Sequence, residues 1–233
     1  MRGANWLRKD IDMAPDVFRD RTEAGQELGR RLFQACAGRD VVVLALPRGG
    51  VPVGYEVARA FDAPLDVMVV RKLGIPGHAE YAMGAIASGG ARVLNDAVVR
   101  ELGISSAAVE EVARAEGIEL ERRERLYRDS RPPPDVRGRT AVLVDDGLAT
   151  GSTMRVAVRA LRGLQPARIV VAVPVASTEA CESLRSEADD VLCVRTPEPF
   201  RAVGLAYQDF SQTSDEEVVA LLKRSARETA SSS

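Results

Sequence analysis

Several residue types that often carry enzyme chemistry are scarce in this 233-residue chain: one histidine, His78, one tryptophan, three cysteines and 4% aromatic residues. The cysteines, Cys36, Cys181 and Cys193, are odd in number and their spacing matches no metal site. They read as small buried hydrophobes of a reduced, cytoplasmic protein. Lysine is almost absent. Only Lys9, Lys72 and Lys223 occur, so arginine carries nearly all the positive charge and Lys72 is the one lysine between the chain's two ends. No apolar run approaches the length of a membrane span. The start, MRGANWLRKDIDM, has no apolar core of the kind a signal peptide needs. A net charge of −2 with interspersed signs gives no reason to expect nucleic acid or a membrane as partner, so any anion site must be local.

What is present is ordinary for a globular domain: 45% hydrophobic and 28% charged residues. Residues 1–18 read as an irregular lead-in, and 19–225 as one domain. A helix is predicted from Asp20 to Gln34, with Ala24, Leu28 and Leu32 on one face. VVVLALP after Asp40 and PLDVMVVRK at 64–72 read as buried strands. Between them lie RGG and a helix with Pro52 in its first turn. The glycine-rich 73–90 stretch reads as a long loop, with a short hairpin near 83–94. A polar helix follows over about 106–129, within an insertion of about 104–135, and Gly117 is a candidate break. Strands at 140–145, 168–175 and 190–194 alternate with helices at 152–163 and 177–187. A C-terminal segment of about 195–212, a helix near 215–224 and a disordered tail from 226 complete the chain. Strands alternating with helices predict an α/β fold, a Rossmann-like parallel sheet with flanking helices. Ligands of such sheets bind beyond the strands' C-terminal ends.

Residues 142–154, VLVDDGLATGSTM, occupy one of those ends. A buried strand delivers Asp145 and Asp146, and Ala149, Thr150, Gly151, Ser152 and Thr153 then turn into a helix. The first amides of a helix lack intrahelical partners and, with the helix dipole, attract an anion by about 1–2 kcal/mol. Two acids beside an anion cradle suit a sugar phosphate: phosphate in the loop, hydroxyls on the acids. A nucleotide-binding Walker A loop would need a lysine here, and a dinucleotide fingerprint would need G-x-G-x-x-G. The paired acids of a phospho-acceptor receiver domain would lie near the N-terminus, with no Gly-Thr-rich cradle after them.

The stretch resembles the PRPP-binding motif of the type I phosphoribosyltransferases, PRPP being phosphoribosyl pyrophosphate. The rest of the chain supports the likeness over roughly 20–210, nearest to bacterial members with FRDRxxAG near the start and LPRGGVPVG on the first strand. The resemblance implies that fold, with a flexible loop and a small C-terminal hood. It implies that Asp145 and Asp146 hold the ribose hydroxyls and that Ala149 through Thr153 hold the 5′-phosphate. Arg48, Gly49 and Gly50 would form the pyrophosphate loop, with a cis peptide between Pro47 and Arg48. Arg71 and Lys72 would contact pyrophosphate from the next strand end. Arg48, Lys72, Asp145 and Asp146 are the residues implied in catalysis. Phe200 and Tyr207 would stack on the acceptor, and Asp209 would join Asp145 and Asp146 at Mg²⁺. His78, Glu80 and Tyr81 are further polar candidates in the mobile loop.

Two positions depart from the family pattern. Hypoxanthine-guanine enzymes carry an acid where this chain has Ala149, which argues against a 6-oxopurine acceptor. Gly147 stands where an apolar residue is usual. The implied activity is Mg²⁺-dependent transfer of phosphoribosyl from PRPP to a nitrogenous acceptor with release of pyrophosphate, within nucleotide salvage and as a homodimer. The alternative is a PRPP- or nucleotide-sensing regulator of the same fold without turnover.

Overall fold

The computed structural model describes residues 17–232 other than 37 and 130, with the backbone alone at 79, 80 and 232. The lead-in is therefore almost wholly outside the described residues, as is the side chain of Glu80. Five strands, β1 (Val41–Ala45), β2 (Leu65–Val67), β6 (Thr140–Val144), β7 (Arg168–Val175) and β8 (Asp190–Arg195), form a parallel sheet in the order β2-β1-β6-β7-β8. Strand neighbours run outward from β1 to β2 in one direction and from β6 to β8 in the other. The direction of winding therefore reverses between β1 and β6, where open α/β sheets place their ligands.

Both faces of this sheet are covered, which is why its strands read as unbroken apolar runs. Val41, Val43, Ala45, Val142 and Val144 point into one core with α1 (Arg21–Cys36), α2 (Gly50–Phe61) and α7 (Asp215–Ser232). Val42, Leu44, Ala141 and Leu143 point into the other, against α5 (Ser152–Gly163) and α6 (Thr178–Leu184). Pro52 sits in the first turn of α2, where its missing N–H costs nothing.

The expected third and fourth segments differ from what forms. The apolar run at 64–72 is not one strand. Only β2 joins the parallel sheet, and the chain then turns into β3 (Val70–Ile75) of a separate antiparallel sheet, β3-β4-β5. The 73–90 stretch is largely β4 (His78–Ala87), which pairs with β5 (Ala91–Leu94). Buried Met83, Ala85 and Ala87 alternate with more exposed neighbours, a two-residue period that small side chains hide in the sequence. Leu73 and Met83 pack there with Val109 of α4 (Ser106–Arg128). Helix α4 begins at the Ser105 cap and passes through Gly117 unbroken. A short helix, α3 (Asp96–Glu101), capped by Asn95, precedes it. Helix α7 continues to Ser232, past the expected end at 224 and through most of the expected tail. It packs on α2 and α4. Cys181 on α6 and Cys193 on β8 are joined as a disulfide with Cα atoms 6.5 Å apart, in place of the expected free thiols. The packing of α6 on β8 brings them together. Cys36 is free and buried.

Candidate functional site

The site is built at the reversal point. Strand β6 ends at Val144, and Asp145 and Asp146 follow, both partly buried. The Asp146 amide donates to Asp145 Oδ1 at 2.9 Å. Burial, and then the charge of Asp146, pushes the Asp145 carboxyl well above the usual carboxylate range. Burial also raises Asp146, while Arg21 pulls it back down. The loop after β1 lies alongside: the Leu46 amide donates to the Val144 carbonyl at 2.8 Å, and the Pro47–Arg48 peptide is cis. A Cβ at Gly49 would fall on Asp146 Oδ2, so only glycine lets the two loops approach this closely.

Gly151 begins α5 in the left-handed region at φ 68°, a conformation that suits glycine, and supplies no side-chain cap. The first-turn amides of α5 therefore have neither intrahelical carbonyls nor a Gly151 side chain. Thr150 Oγ1 meets Ser152 Oγ at 3.2 Å, and both side chains, like Thr153, are exposed. The loop is held from behind. Leu148 bridges to Ala176, and Ser177 Oγ donates to the Ala149 carbonyl at 2.8 Å. Gly147 has a local reason for being glycine, since a Cβ there would come within 2.5 Å of Val203 Cγ1.

The remaining candidates are distributed differently from the expectation. Arg71 and Lys72 are not at an end of the parallel sheet but on β3, paired with Ile86 and Ala85. They line a cleft of 510 Å³ that also touches Thr153, so the second sheet does reach the phosphate-type loop. Lys72 is exposed there, whereas Arg71 is paired with Glu116 of α4 at 2.6 Å. Arg48 is half-buried beside Gly49. His78 and Tyr81 are exposed on β4.

Tyr207 is placed against the stacking role. It is 5% exposed, its ring lies between Phe18 and Phe210 at centroid distances of 5.7 and 5.0 Å, and its hydroxyl donates to the Asp146 carbonyl at 2.6 Å. Burial raises its phenol far above the ordinary value. Phe200 packs at the edge of the same cluster. Asp209 is exposed, with Oδ1 accepting from the Ser211 amide at 2.9 Å, a bond that lowers its pKa. Among the described residues no three histidines, cysteines or carboxylates are grouped to hold a metal, so Asp209 does not complete a cluster with the acid pair.

One further residue of the site is not legible in the sequence. Arg21, the first residue of α1, places Nε and Nη2 each 2.8 Å from Asp146 Oδ2. The FRDR stretch carries only a family likeness, and no local pattern points 125 residues along the chain.

The exposed Thr150, Ser152 and Thr153 side chains and the first turn of α5 suit a phosphate, and the neighbouring acids suit hydroxyl groups. The family profile "Phosphoribosyl transferase domain" matches residues 82–209. The Mycobacterium tuberculosis (strain ATCC 25618 / H37Rv) protein named "Putative phosphoribosyl transferase Rv0571c" is 49% identical over 214 residues, 92% of this chain. The chain spans about half the length of the curated relatives it matches, 48% for that protein. The crystal structure of TT1426 from Thermus thermophilus superimposes with a TM-score of 0.79 at 44% identity, covering 89% of this chain and 98% of that one. A hypothetical protein from Neisseria gonorrhoeae, solved with bound ppGpp, shares the fold at a TM-score of 0.51 and 13% identity, over 89% of this chain and 96% of its own. With the profile covering the acid pair and its loop, this chain belongs to the type I phosphoribosyltransferase family.

Proposed function

We propose that the protein transfers the 5-phosphoribosyl group of PRPP to a nitrogenous acceptor, a nucleobase in the first instance, with release of pyrophosphate. The observation that carries this reading is the coincidence, at one reversal point, of the acid pair, the Thr150–Thr153 loop and the Arg48–Gly50 loop. The loop amides and hydroxyls would bind the 5′-phosphate, and Asp145 and Asp146 the ribose hydroxyls. Arg48 and Lys72 would stabilise the leaving pyrophosphate, with the Gly49 and Gly50 amides beside it. Breaking the C1′–oxygen bond leaves positive charge on the sugar, and no protein nucleophile is required. Positioning and charge stabilisation would carry the rate. In this reading Arg71 must leave or share Glu116 to reach pyrophosphate.

Mg²⁺ fits this site as an ion delivered with the substrate. Two carboxylates, one already on Arg21, would leave it to take most ligands from PRPP and water, as Mg²⁺ ordinarily does. When bound, it would neutralise the pyrophosphate oxygens. Acceptor contacts pass from Tyr207 to the exposed parts of the hood, where Leu205 is 65% exposed and Phe200 half-buried. The reaction would belong to nucleotide salvage, in a homodimer.

A second reading is binding of PRPP or a nucleotide without turnover; Ala149 does not separate the two, since alanine at that point also occurs in the adenine enzymes of the family. The second reading is supported by the Neisseria gonorrhoeae protein of the same fold, which was solved with bound ppGpp. A pyrophosphate-release screen with PRPP, Mg²⁺ and a panel of nucleobases and amines separates the two. Release with one acceptor supports transfer. Tight PRPP binding with no release from any acceptor supports the sensor.

A further inference from the structure

Arg21 belongs to the FRDR stretch, to which the resemblance assigns no role, yet every part of its guanidinium is engaged. Nε and Nη2 meet Asp146 Oδ2, Nη1 donates to the Ser211 carbonyl at 2.8 Å, and the group lies 3.9 Å from the Phe210 ring centroid. The side chains of Arg21 and Asp146 are 11% and 15% exposed. A planar fork that accepts a ring on its face and two partners on its edge is specific to arginine. The segment bearing it is fastened to the hood by a backbone ladder: Phe18 to Ala206, Gln208 to Phe18, and Asp209 to Arg19, at 2.7, 2.7 and 2.9 Å. Both guanidinium contacts use the same carboxylate oxygen, so neither takes Oδ1.

We propose that Arg21 is the positioning residue of the sugar site: it fixes the orientation of Asp146 through Oδ2, and it ties that carboxylate to the hood through Ser211 and Phe210. Two adjacent, partly buried carboxylates without a counter-ion would repel each other and lose their orientation. Arg21 supplies the counter-charge from a helix start that is itself pinned to the hood. Ribose binding and hood placement are then a single event, and the sugar site reports to the acceptor side. This inference rests on the phosphoribosyl reading.

The test is calorimetric titration of the full chain, in Mg²⁺ buffer, with PRPP, ribose 5-phosphate and pyrophosphate. Arg21→Gln should weaken PRPP and ribose 5-phosphate about tenfold or more and leave pyrophosphate within about twofold. Arg21→Lys, which keeps the charge but not the fork, should recover part of that loss. Phe210→Ala leaves the Arg21–Asp146 pair and should weaken ribose 5-phosphate by about threefold, so the test survives if Arg21→Gln fails to fold. Hydrogen exchange gives a second readout: PRPP should protect amides 206–211 in the wild type and not in Arg21→Lys. Unchanged ribose 5-phosphate binding in the variants, or an equal loss for all three probes, overturns the positioning role. A wild type that binds neither PRPP nor ribose 5-phosphate instead overturns the phosphoribosyl reading beneath it.

Discussion

The strand-end loop and the corner where the start of α1 meets residues 207–211 are both built around Asp146, and they differ in how far their parts lie apart along the chain. Asp145 through Thr153 form a continuous stretch: one strand, one turn and one helix start place every group. The corner joins Phe18 and Arg21 to Tyr207, Phe210 and Ser211, from opposite ends of the described chain. The first region is specified by local conformation. The second exists only because α1 and the hood are both packed against the β6 end. Affinity for the sugar phosphate should therefore depend on both, with the effect declining as a substitution moves away from the acids.

The largest effect is expected at the acids. Asp145→Asn together with Asp146→Asn should weaken PRPP binding by about 100-fold or more in calorimetry, the loss of charged hydrogen-bond acceptors to two hydroxyls. Unaltered affinity would remove the acids from the sugar site. Next comes Gly49→Val. Its Cβ collides with Asp146 Oδ2, so PRPP should weaken about tenfold and stability fall by about 1–3 kcal/mol in urea unfolding. A variant as stable and as tight as wild type would show that the loops are not in contact in solution. Tyr207→Phe removes the hydroxyl bond to the Asp146 carbonyl while keeping the ring. It should cost about 1 kcal/mol, seen as a drop of about 2–4 °C in Tm, and weaken PRPP only a few-fold. A loss as large as that of the double acid variant would mean that Tyr207 touches the ligand directly.

The smallest effect on the site should come from Tyr127→Phe. The Tyr127 hydroxyl donates to Asp215 at 2.7 Å, tying α4 to α7, and burial with that bond pushes the phenol up to about 12. A phenol raised in the folded state stabilises the fold below its unfolded value of about 10, and that stability is lost as pH rises from about 10 to 12. Wild-type Tm should fall through that window, and Tyr127→Phe should fall less steeply. PRPP affinity at neutral pH should stay within about twofold. A marked affinity loss would extend the site to α4.

How much is readable follows the same division. The segments 152–163 and 168–175 form elements with the expected limits, because buried periodicity, a glycine turn and a helix start are short-range signals. The 64–72 run misleads because no turn residue marks the place where the chain leaves the parallel sheet, between Val67 and Val70. Strand β4 is hidden because its buried face is built partly from alanines, whose alternation with Ala82, Gly84 and Ile86 gives almost no hydrophobic contrast. Tyr207 reads as a stacking residue from its position in an aromatic segment. Whether an aromatic ring faces a ligand or the core depends on what packs on it, here Phe18 and Phe210.

The sequence by itself determined the α/β alternation, the acid pair and the glycine-hydroxyl loop that follows it, since each depends on residues within a few positions of one another. Only the tertiary structure decided that Arg21 is the counter-ion of Asp146, that Arg71 and Lys72 belong to a second sheet, and that Cys181 meets Cys193. These are contacts between segments with no shared local period. Their energies come from burial and charge pairing that arise once the layers have packed.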